Sequence, residues 1–178
     1  MSVIESSVNR VAILGAESSG KTMLAEALAK HFDTVWVPEY LREFVDTHQR
    51  VPREDEQLLI AKTQVQRERE YALRAKAWLF CDTSPLMTAI YSRHYFTYTD
   101  PALEQLEQAH TYDFTLVTAP DFPWIADGLQ RESAAVRQCI HEELLRILDE
   151  REMPFLLVEG SLAARVEQVQ FTLSFLAQ

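Results

Sequence analysis

Apolar residues occur along the chain in short continuous runs, separated by longer stretches in which apolar and polar positions mix at helical spacing. The short runs predict five β-strands, at residues 10–15, 34–40, 77–83, 112–120 and 154–160. The stretches between them predict helices at residues 21–32, 52–76, 132–151 and 161–177, and two more that begin at Pro85 and Pro101. Strands that are nearly all apolar and alternate with helices are typical of a parallel sheet buried on both faces. The pattern therefore predicts an α/β fold with a five-stranded parallel sheet and helices on both faces.

The length of 178 residues suits one domain, which we expect to span residues 1–178. The chain is 47% hydrophobic and 25% charged, which is ordinary for a globular protein with a buried core. No apolar run approaches the roughly 20 residues of a membrane-spanning helix, and the N-terminus does not resemble a signal peptide. Cys81 and Cys139 fit neither a metal-ligand spacing nor a disulfide framework, so we expect free thiols in a cytoplasmic protein.

The charge balance bears on the kind of partner. The chain has 17 Lys and Arg residues against 27 Asp and Glu residues, which gives a formal net charge of −10. Such a balance repels polyanions, so we expect no nucleic-acid-binding surface. Because no apolar run is long enough to span a membrane, we expect no membrane partner either. A small anion such as ATP-Mg can still bind in a local positive pocket.

The first predicted strand leads into the sequence GAESSGKT, which fits the phosphate-binding pattern G-x-x-x-x-G-K-[ST]. A strand before this pattern and a helix after it are the context in which such a loop binds a nucleoside triphosphate. Backbone N–H groups and the helix N-terminus surround the phosphates, Lys21 adds a full positive charge, and the Thr22 hydroxyl can bind Mg²⁺. We therefore expect ATP and Mg²⁺ as cofactors. The phosphate loop consists of Gly15, Ala16, Glu17, Ser18, Ser19, Gly20, Lys21 and Thr22.

An acidic residue, Asp82, ends the third predicted strand. Ligands of open parallel sheets bind beyond the carboxyl ends of the strands, which is where this side chain is expected. At that position Asp82 is predicted to bind Mg²⁺ or to accept the proton of an acceptor hydroxyl. It could also cap the helix that begins at Pro85, and the two roles are compatible.

Further candidates for the acceptor side follow the second and third strands. Glu39, Tyr40 and Arg42 lie in PEYLREF at the same edge of the predicted sheet. Glu39 is a candidate to accept the acceptor's proton and Arg42 to pair with phosphate; the alternative is a Glu–Arg pair on a helix surface. Tyr91 and Tyr95 lie four residues apart on one helix face, where they are predicted either to contact the substrate or to pack in the core.

The segment DFPWIADGLQR at residues 121–131 has neither a helical nor a strand pattern. Trp124 is a candidate to stack on a flat acceptor ring, or alternatively covers the edge of the sheet. Asp127 begins a predicted turn. Arg131 is a candidate lid arginine facing the transferred phosphate, with Arg42 and Arg137 as alternatives.

Four segments, GAESSGKT, PEYLRE, LFCDTSPLMTAIYSRHYF and YDFTLVTAPDFPWIADGLQR, occur in the order and approximate spacing of one family. Over residues 10–158 the sequence resembles the NadR-type ribosylnicotinamide kinase domains of bacterial NAD biosynthesis, which belong to the AAA-like P-loop ATPases. The resemblance implies transfer of the γ-phosphoryl of ATP to the 5′-hydroxyl of nicotinamide riboside. It also implies that Asp82 lies at the metal and acceptor, Glu39 and Arg42 in the pocket, and Trp124 and Asp127 in the substrate-side loop.

The chain departs from that family pattern at three places. Pro38 stands where relatives have an aromatic residue, residues 120–122 are Pro-Asp-Phe, and Gln130 stands where relatives have an arginine, with Arg131 one position later. The alternatives are a kinase of another metabolite, or a regulatory ATPase or GTPase switch that acts through a protein partner. The chain has no Asn-Lys-x-Asp motif for guanine, which disfavours the GTPase. The sequence predicts no oligomeric state and leaves the general base open between Asp82 and Glu39.

Overall fold

The computed structural model describes residues 8–125 and 133–176. Within these two segments, five strands form one parallel sheet in the order β2-β3-β1-β4-β5. The strands are β1 (Asn9–Leu14), β2 (Trp36–Val37), β3 (Trp78–Asp82), β4 (Phe114–Thr118) and β5 (Leu156–Val158). The five-stranded parallel sheet predicted from the apolar runs is confirmed.

Seven α-helices lie in the described segments, with a 3₁₀ turn at Glu54–Glu56. They are α1 (Lys21–His31), α2 (Tyr40–His48), α3 (Gln57–Ala72), α4 (Pro85–Tyr95), α5 (Pro101–Ala109), α6 (Ala134–Glu150) and α7 (Leu162–Leu176). Asp100 caps α5, because its carboxylate accepts a hydrogen bond of 2.8 Å from the Ala102 N–H. No helix in the part of the chain described here has the length and apolarity needed to cross a membrane.

The region after β2 differs from the prediction. The strand is only two residues long, and the helix α2 that begins at Tyr40 was not predicted. Pro38 explains the short strand, because proline has no N–H to donate to a sheet ladder. The predicted helix at 52–76 also begins later, since a 3₁₀ turn precedes α3.

Helices cover both faces of the sheet. On one face α1 and α7 contribute Leu24, Leu28, Val169 and Leu173 to a core that also includes Phe80 of β3. On the other face α4 and α6 bury a second set against β1 and β4. These residues include Met87, Ile90, Ile140, Leu144 and Val117. The sheet is thus buried on both faces, as its apolar strands require.

The strand order places two predicted site elements side by side. β1 pairs with β3 in a register that matches Ile13 with Asp82, and the Thr83 N–H donates to the Ile13 carbonyl over 3.1 Å. The phosphate loop follows β1 directly, and Asp82 is the last residue of β3. The loop and the carboxylate therefore meet at the carboxyl edge of the sheet.

A buried carboxylate lies toward the opposite edge. Glu68 of α3 is fully buried and accepts a hydrogen bond of 2.7 Å from the hydroxyl of Tyr112, two residues before β4 begins. His110 Nε2 lies 2.6 Å from the other carboxylate oxygen. Because these partners satisfy Glu68 inside the protein, the group ties α3 to the start of β4.

Candidate active site

The two glycines of the phosphate loop stand where larger residues have no room. A Cβ at Gly15 would lie 2.1 Å from the Thr118 hydroxyl oxygen, and one at Gly20 would lie 2.5 Å from the Phe122 ring. Gly20 also has a positive φ of 86°, which glycine adopts without strain. The loop therefore packs closely against the end of β4 and the segment that follows it.

Ser19 holds the loop from inside. It is buried, and its hydroxyl donates to the Ala16 carbonyl over 2.6 Å. Its hydroxyl oxygen also lies 2.7 Å from that of Thr118, which in turn donates to the Leu14 carbonyl. These bonds fix the loop backbone before a ligand arrives, so Ser19 supports the binding conformation with its side chain.

Lys21 and Thr22 begin α1, directly after the loop. The Lys21 ammonium donates to the Ala16 carbonyl over 3.1 Å, so its charge lies across the loop. The Thr22 hydroxyl donates to Asp82 Oδ2 over 2.6 Å. The loop, the lysine and the carboxylate predicted from the sequence are thus brought together.

The residues present fit a Mg²⁺ ion. Asp82 is fully buried, and its second oxygen, Oδ1, has no hydrogen-bond partner in the structure. Burial raises the pKa of Asp82, while Lys21, the Thr22 hydroxyl and Arg42 oppose that rise. No group of three or more His, Cys, Asp or Glu residues in the described segments could hold a metal by itself, so an ion at Asp82 would depend on phosphate oxygens as well. Mg²⁺ commonly binds one or two protein oxygens together with phosphate oxygens, and Thr22 and Asp82 suit this role.

A cavity of about 520 Å³ opens beside the phosphate loop. This volume is in the range of small-molecule sites. Aliphatic and aromatic side chains line much of it, together with three charged groups close to the loop, Glu17, Lys21 and Glu39. The other lining residues include Leu41, Val51, Pro52, Ile60, Met87, Tyr91, Tyr95 and Phe96, with Gln57, Gln64 and Thr88 as polar groups.

Glu39 is the carboxylate whose position and pKa suit proton transfer. It lies at the N-terminus of α2 and lines the cavity together with Lys21. The pKa of Glu39 is raised from 4.5 to about 7, first by burial and then by the nearby Asp82, against the opposing charges of Lys21 and Arg42. A carboxylate with a pKa near 7 can accept a proton at neutral pH.

The predicted acceptor residues divide into two groups. Tyr91 and Tyr95 line the cavity, and their rings stack with centroids 6.3 Å apart. The Tyr91 hydroxyl accepts a hydrogen bond of 3.1 Å from the Glu17 N–H, which joins the cavity wall to the phosphate loop. Tyr40 does not line the cavity, because its ring packs beside Phe44 and under the Arg67 guanidinium.

The loop after β4 carries the remaining predicted residues. Trp124 is partly buried and is not among the residues that line the cavity. Asp127 and Arg131 lie outside the described residues, so their roles stay predictions. Arg42 is exposed, and it acts on the site through its charge, which lowers the pKa of Glu39 and of Asp82. Arg137, the alternative lid arginine, donates to the carbonyls of Ser18 and Phe122.

Two residues of the site, Gln64 and Arg165, were not predicted from the sequence. The buried Gln64 side chain accepts from the Tyr40 N–H and donates to the carbonyls of Pro38 and Asp82, so it links the ends of β2 and β3. Arg165 lies fully buried behind the phosphate loop and donates to the Ser19 carbonyl over 2.6 Å. Both lie in helical patterns far along the chain from their partners, and no local signal marks them.

Residues 10–165 of the chain match the AAA domain family. Among curated proteins, the chain is similar to the trifunctional NAD biosynthesis/regulator protein NadR of Escherichia coli K12. The identity is 30% over 158 residues, which cover 85% of this chain and 38% of that protein. NadR of Salmonella typhimurium LT2 is 31% identical over 161 residues, with the same coverage. The chain thus spans about 38% of the length of these relatives.

Solved structures share the fold at lower identity. A crystal structure of NadR protein in complex with NR matches with a TM-score of 0.71 at 22% identity, covering 91% of this chain and 50% of that chain. Deoxyadenosine kinase from M. mycoides matches with a TM-score of 0.67 at 10% identity, covering 93% and 98%. Thymidylate kinase from Ehrlichia chaffeensis gives 0.65 at 14% identity, covering 96% and 99%. The shared architecture is that of the P-loop kinases.

Proposed function

The chain belongs to the AAA domain family, and we propose that it is an ATP-dependent kinase of nicotinamide riboside that forms nicotinamide mononucleotide. The observation that carries the proposal is a single cavity that contains both the phosphate loop and Glu39, a carboxylate with a pKa of about 7. Such a cavity can hold an acceptor with its hydroxyl between a proton acceptor and the γ-phosphate. A switch that acts through a protein partner needs neither the cavity nor the carboxylate.

In the proposed reaction, the 5′-hydroxyl oxygen of the acceptor bonds to the γ-phosphorus, and the bond between that phosphorus and the bridging oxygen of ADP breaks. Glu39 takes the hydroxyl proton. Lys21 stabilises the negative charge on the transferred group, and Thr22 and Asp82 are the residues that would hold Mg²⁺. When bound, the ion neutralises phosphate charge. The lid arginine remains a choice among Arg42, Arg131 and Arg137.

Nicotinamide riboside is the proposed acceptor for two reasons. The relatives at 30% and 31% identity are NAD biosynthesis proteins, and the NadR protein of similar fold was crystallised with NR. The cavity offers stacked tyrosines and an apolar wall, which suit a flat ring attached to a ribose.

Both cysteines are free, Cys81 buried and Cys139 exposed, which is consistent with a cytoplasmic enzyme.

The test is an acceptor screen with two readouts. The protein is incubated with ATP-Mg and nicotinamide riboside, deoxyadenosine, thymidine or no acceptor, while ADP release is followed by a coupled assay. The phosphorylated product is identified by mass spectrometry. We expect ADP release that depends on nicotinamide riboside, with one nicotinamide mononucleotide formed per ADP. Another phosphorylated nucleoside would correct the acceptor, and ADP release without any phosphorylated product would support the regulatory ATPase.

A further inference from the structure

Arg165 carries a positive charge that is fully buried at the N-terminal end of α7, where such a charge is unfavourable. Its side chain is fully buried, although arginine is among the residues least often buried unless paired. It also lies in the first turn of α7, where the helix dipole disfavours a positive charge. Other interactions must therefore offset the cost of placing a guanidinium there.

The partners of the guanidinium come from three loops at the carboxyl edge of the sheet. Nη1 donates to the Ser19 carbonyl over 2.6 Å, which is the contact with the phosphate loop. Nη2 donates to the Ala119 carbonyl over 3.0 Å and to the Asp121 carboxylate. Nε donates over 3.1 Å to the carbonyl of Gly160, which lies in the loop after β5. A planar fork with several fixed donors can serve these acceptors together, whereas a lysine ammonium cannot.

Arg165 also packs against the Phe122 ring, which contacts Gly20 of the phosphate loop. The guanidinium carbon lies 4.3 Å from the centre of the Phe122 ring, and that ring lies against Gly20 so closely that no Cβ fits. The Asp121 carboxylate also accepts from the Gly160 N–H over 2.7 Å. The phosphate loop thus lies against a wall made of the segment after β4, and Arg165 holds that wall in place.

We propose that Arg165 is a positioning residue for the phosphates of ATP. By fixing the Ser19 carbonyl and the 119–122 segment, it holds the phosphate loop in its binding conformation, so that ATP does not have to order the loop. A purely stabilising role would not need a charge here, because well-packed apolar residues often replace buried ion pairs without loss of stability. The inference rests on the proposed use of ATP and is independent of the acceptor.

The test measures ADP-Mg binding by isothermal titration calorimetry, alongside thermal unfolding, in three variants. Arg165→Lys keeps the charge and loses the fork, and we expect the dissociation constant for ADP to rise at least tenfold. Asp121→Asn leaves the arginine and removes its counter-ion, and we expect a rise of about threefold. Arg151→Lys is the matched control, because Arg151 makes two hydrogen bonds of 2.7 and 2.8 Å to the buried Glu107 and does not contact the loop. It should lower the melting temperature and leave ADP binding within twofold of the wild type.

Folded Arg165→Lys protein that binds ADP as the wild type does would overturn the proposal. If that variant does not fold, Asp121→Asn decides, and an unchanged dissociation constant there would overturn it equally. In kinetics, the KM for ATP should rise in both variants while the KM for the acceptor stays unchanged. A wild type that binds no ADP would reject the nucleotide site and this inference together. A wild type that binds ADP and phosphorylates no nicotinamide riboside would reject the acceptor alone.

Discussion

Replacing Glu39 by glutamine should remove the proton acceptor while keeping the shape of the cavity. Because the pKa of Glu39 is raised to about 7, the wild-type kcat/KM for the acceptor should increase as pH rises through 7 and level off above it. Glu39→Gln should lose this dependence. It should also lower kcat by about 10²–10⁴-fold, which corresponds to about 3–5 kcal/mol of transition-state stabilisation.

The same raised pKa predicts an effect on stability. The pKa of Glu39 in the folded protein lies above the ordinary 4.5. The contribution of its protonated carboxyl to the free energy of unfolding is therefore fully present below pH 4.5 and is lost as pH rises through 7. The full shift corresponds to about 3 kcal/mol, and we expect about 1–2 kcal/mol because Glu39 is partly exposed at the cavity. The free energy of unfolding of the wild type should therefore fall relative to Glu39→Gln between pH 5 and pH 8.

Two measurements check this reasoning. The kcat/KM of both proteins is measured from about pH 5.5 to 9 with the coupled ADP assay, and urea unfolding is measured at four pH values from about pH 5 to 8. Glu143→Gln is the control, because Glu143 lies on α6 with its carboxylate bound to Arg146 and does not line the cavity. An acid limb near pH 7 that persists in Glu39→Gln would refute the assignment and leave Asp82 as the candidate base.

The remaining predictions concern four side chains. Lys21→Ala should lose at least a hundredfold in kcat, about 3 kcal/mol, with an unchanged circular dichroism spectrum; near-normal ADP release would refute the phosphate-loop assignment. Asp82→Asn should abolish Mg²⁺-dependent turnover with the fold intact, and a Mg²⁺ titration that matches the wild type would contradict this. Trp124 does not line the cavity, so Trp124→Leu should leave the acceptor KM unchanged; a few-fold rise, about 1 kcal/mol, with the KM for ATP unchanged would instead support ring stacking. Glu68→Leu leaves the partly buried Tyr112 hydroxyl without its acceptor, so urea unfolding should show a loss of about 1–3 kcal/mol, and an unchanged midpoint would contradict this.

The parts of the fold that the sequence predicted are those fixed by local chemistry. Three features lie next to one another in the chain: the apolar run of β1, the glycines at 15 and 20, and the helix that begins at Lys21. Their pattern can therefore be recognised without knowing any tertiary contact. The position of Asp82 at the end of β3 was predictable for the same reason. Its contact with Thr22 follows once β1 and β3 are neighbours in a parallel sheet.

The features of the site that the sequence did not predict depend mainly on contacts between residues far apart in the chain. Arg165 contacts Ser19 across 146 positions of the chain, and in the sequence it is an ordinary polar residue of a predicted helix. The direction of the Tyr40 side chain was also undetermined, because it depends on Arg67 of α3 rather than on the neighbouring Glu39. The second strand is a smaller difference, because the apolar run at residues 34–40 continues past Pro38 whereas β2 ends at Val37.

The charges around the cavity bear on which acceptor fits. Glu17 and Glu39 line it beside Lys21, and Arg50, which also lines it, is neutralised by two hydrogen bonds of 2.6 and 2.7 Å to Glu56. An acceptor that carries a negative charge would meet these carboxylates as well as the phosphates of ATP, and like charges at such distances repel. Nicotinamide riboside carries a positive charge on its ring nitrogen, so the same carboxylates attract it. In the proposed reaction the carboxylates of Glu17 and Glu39 would therefore favour a neutral or cationic nucleoside, and the phosphates of ATP would bind through Lys21 and the backbone of the loop.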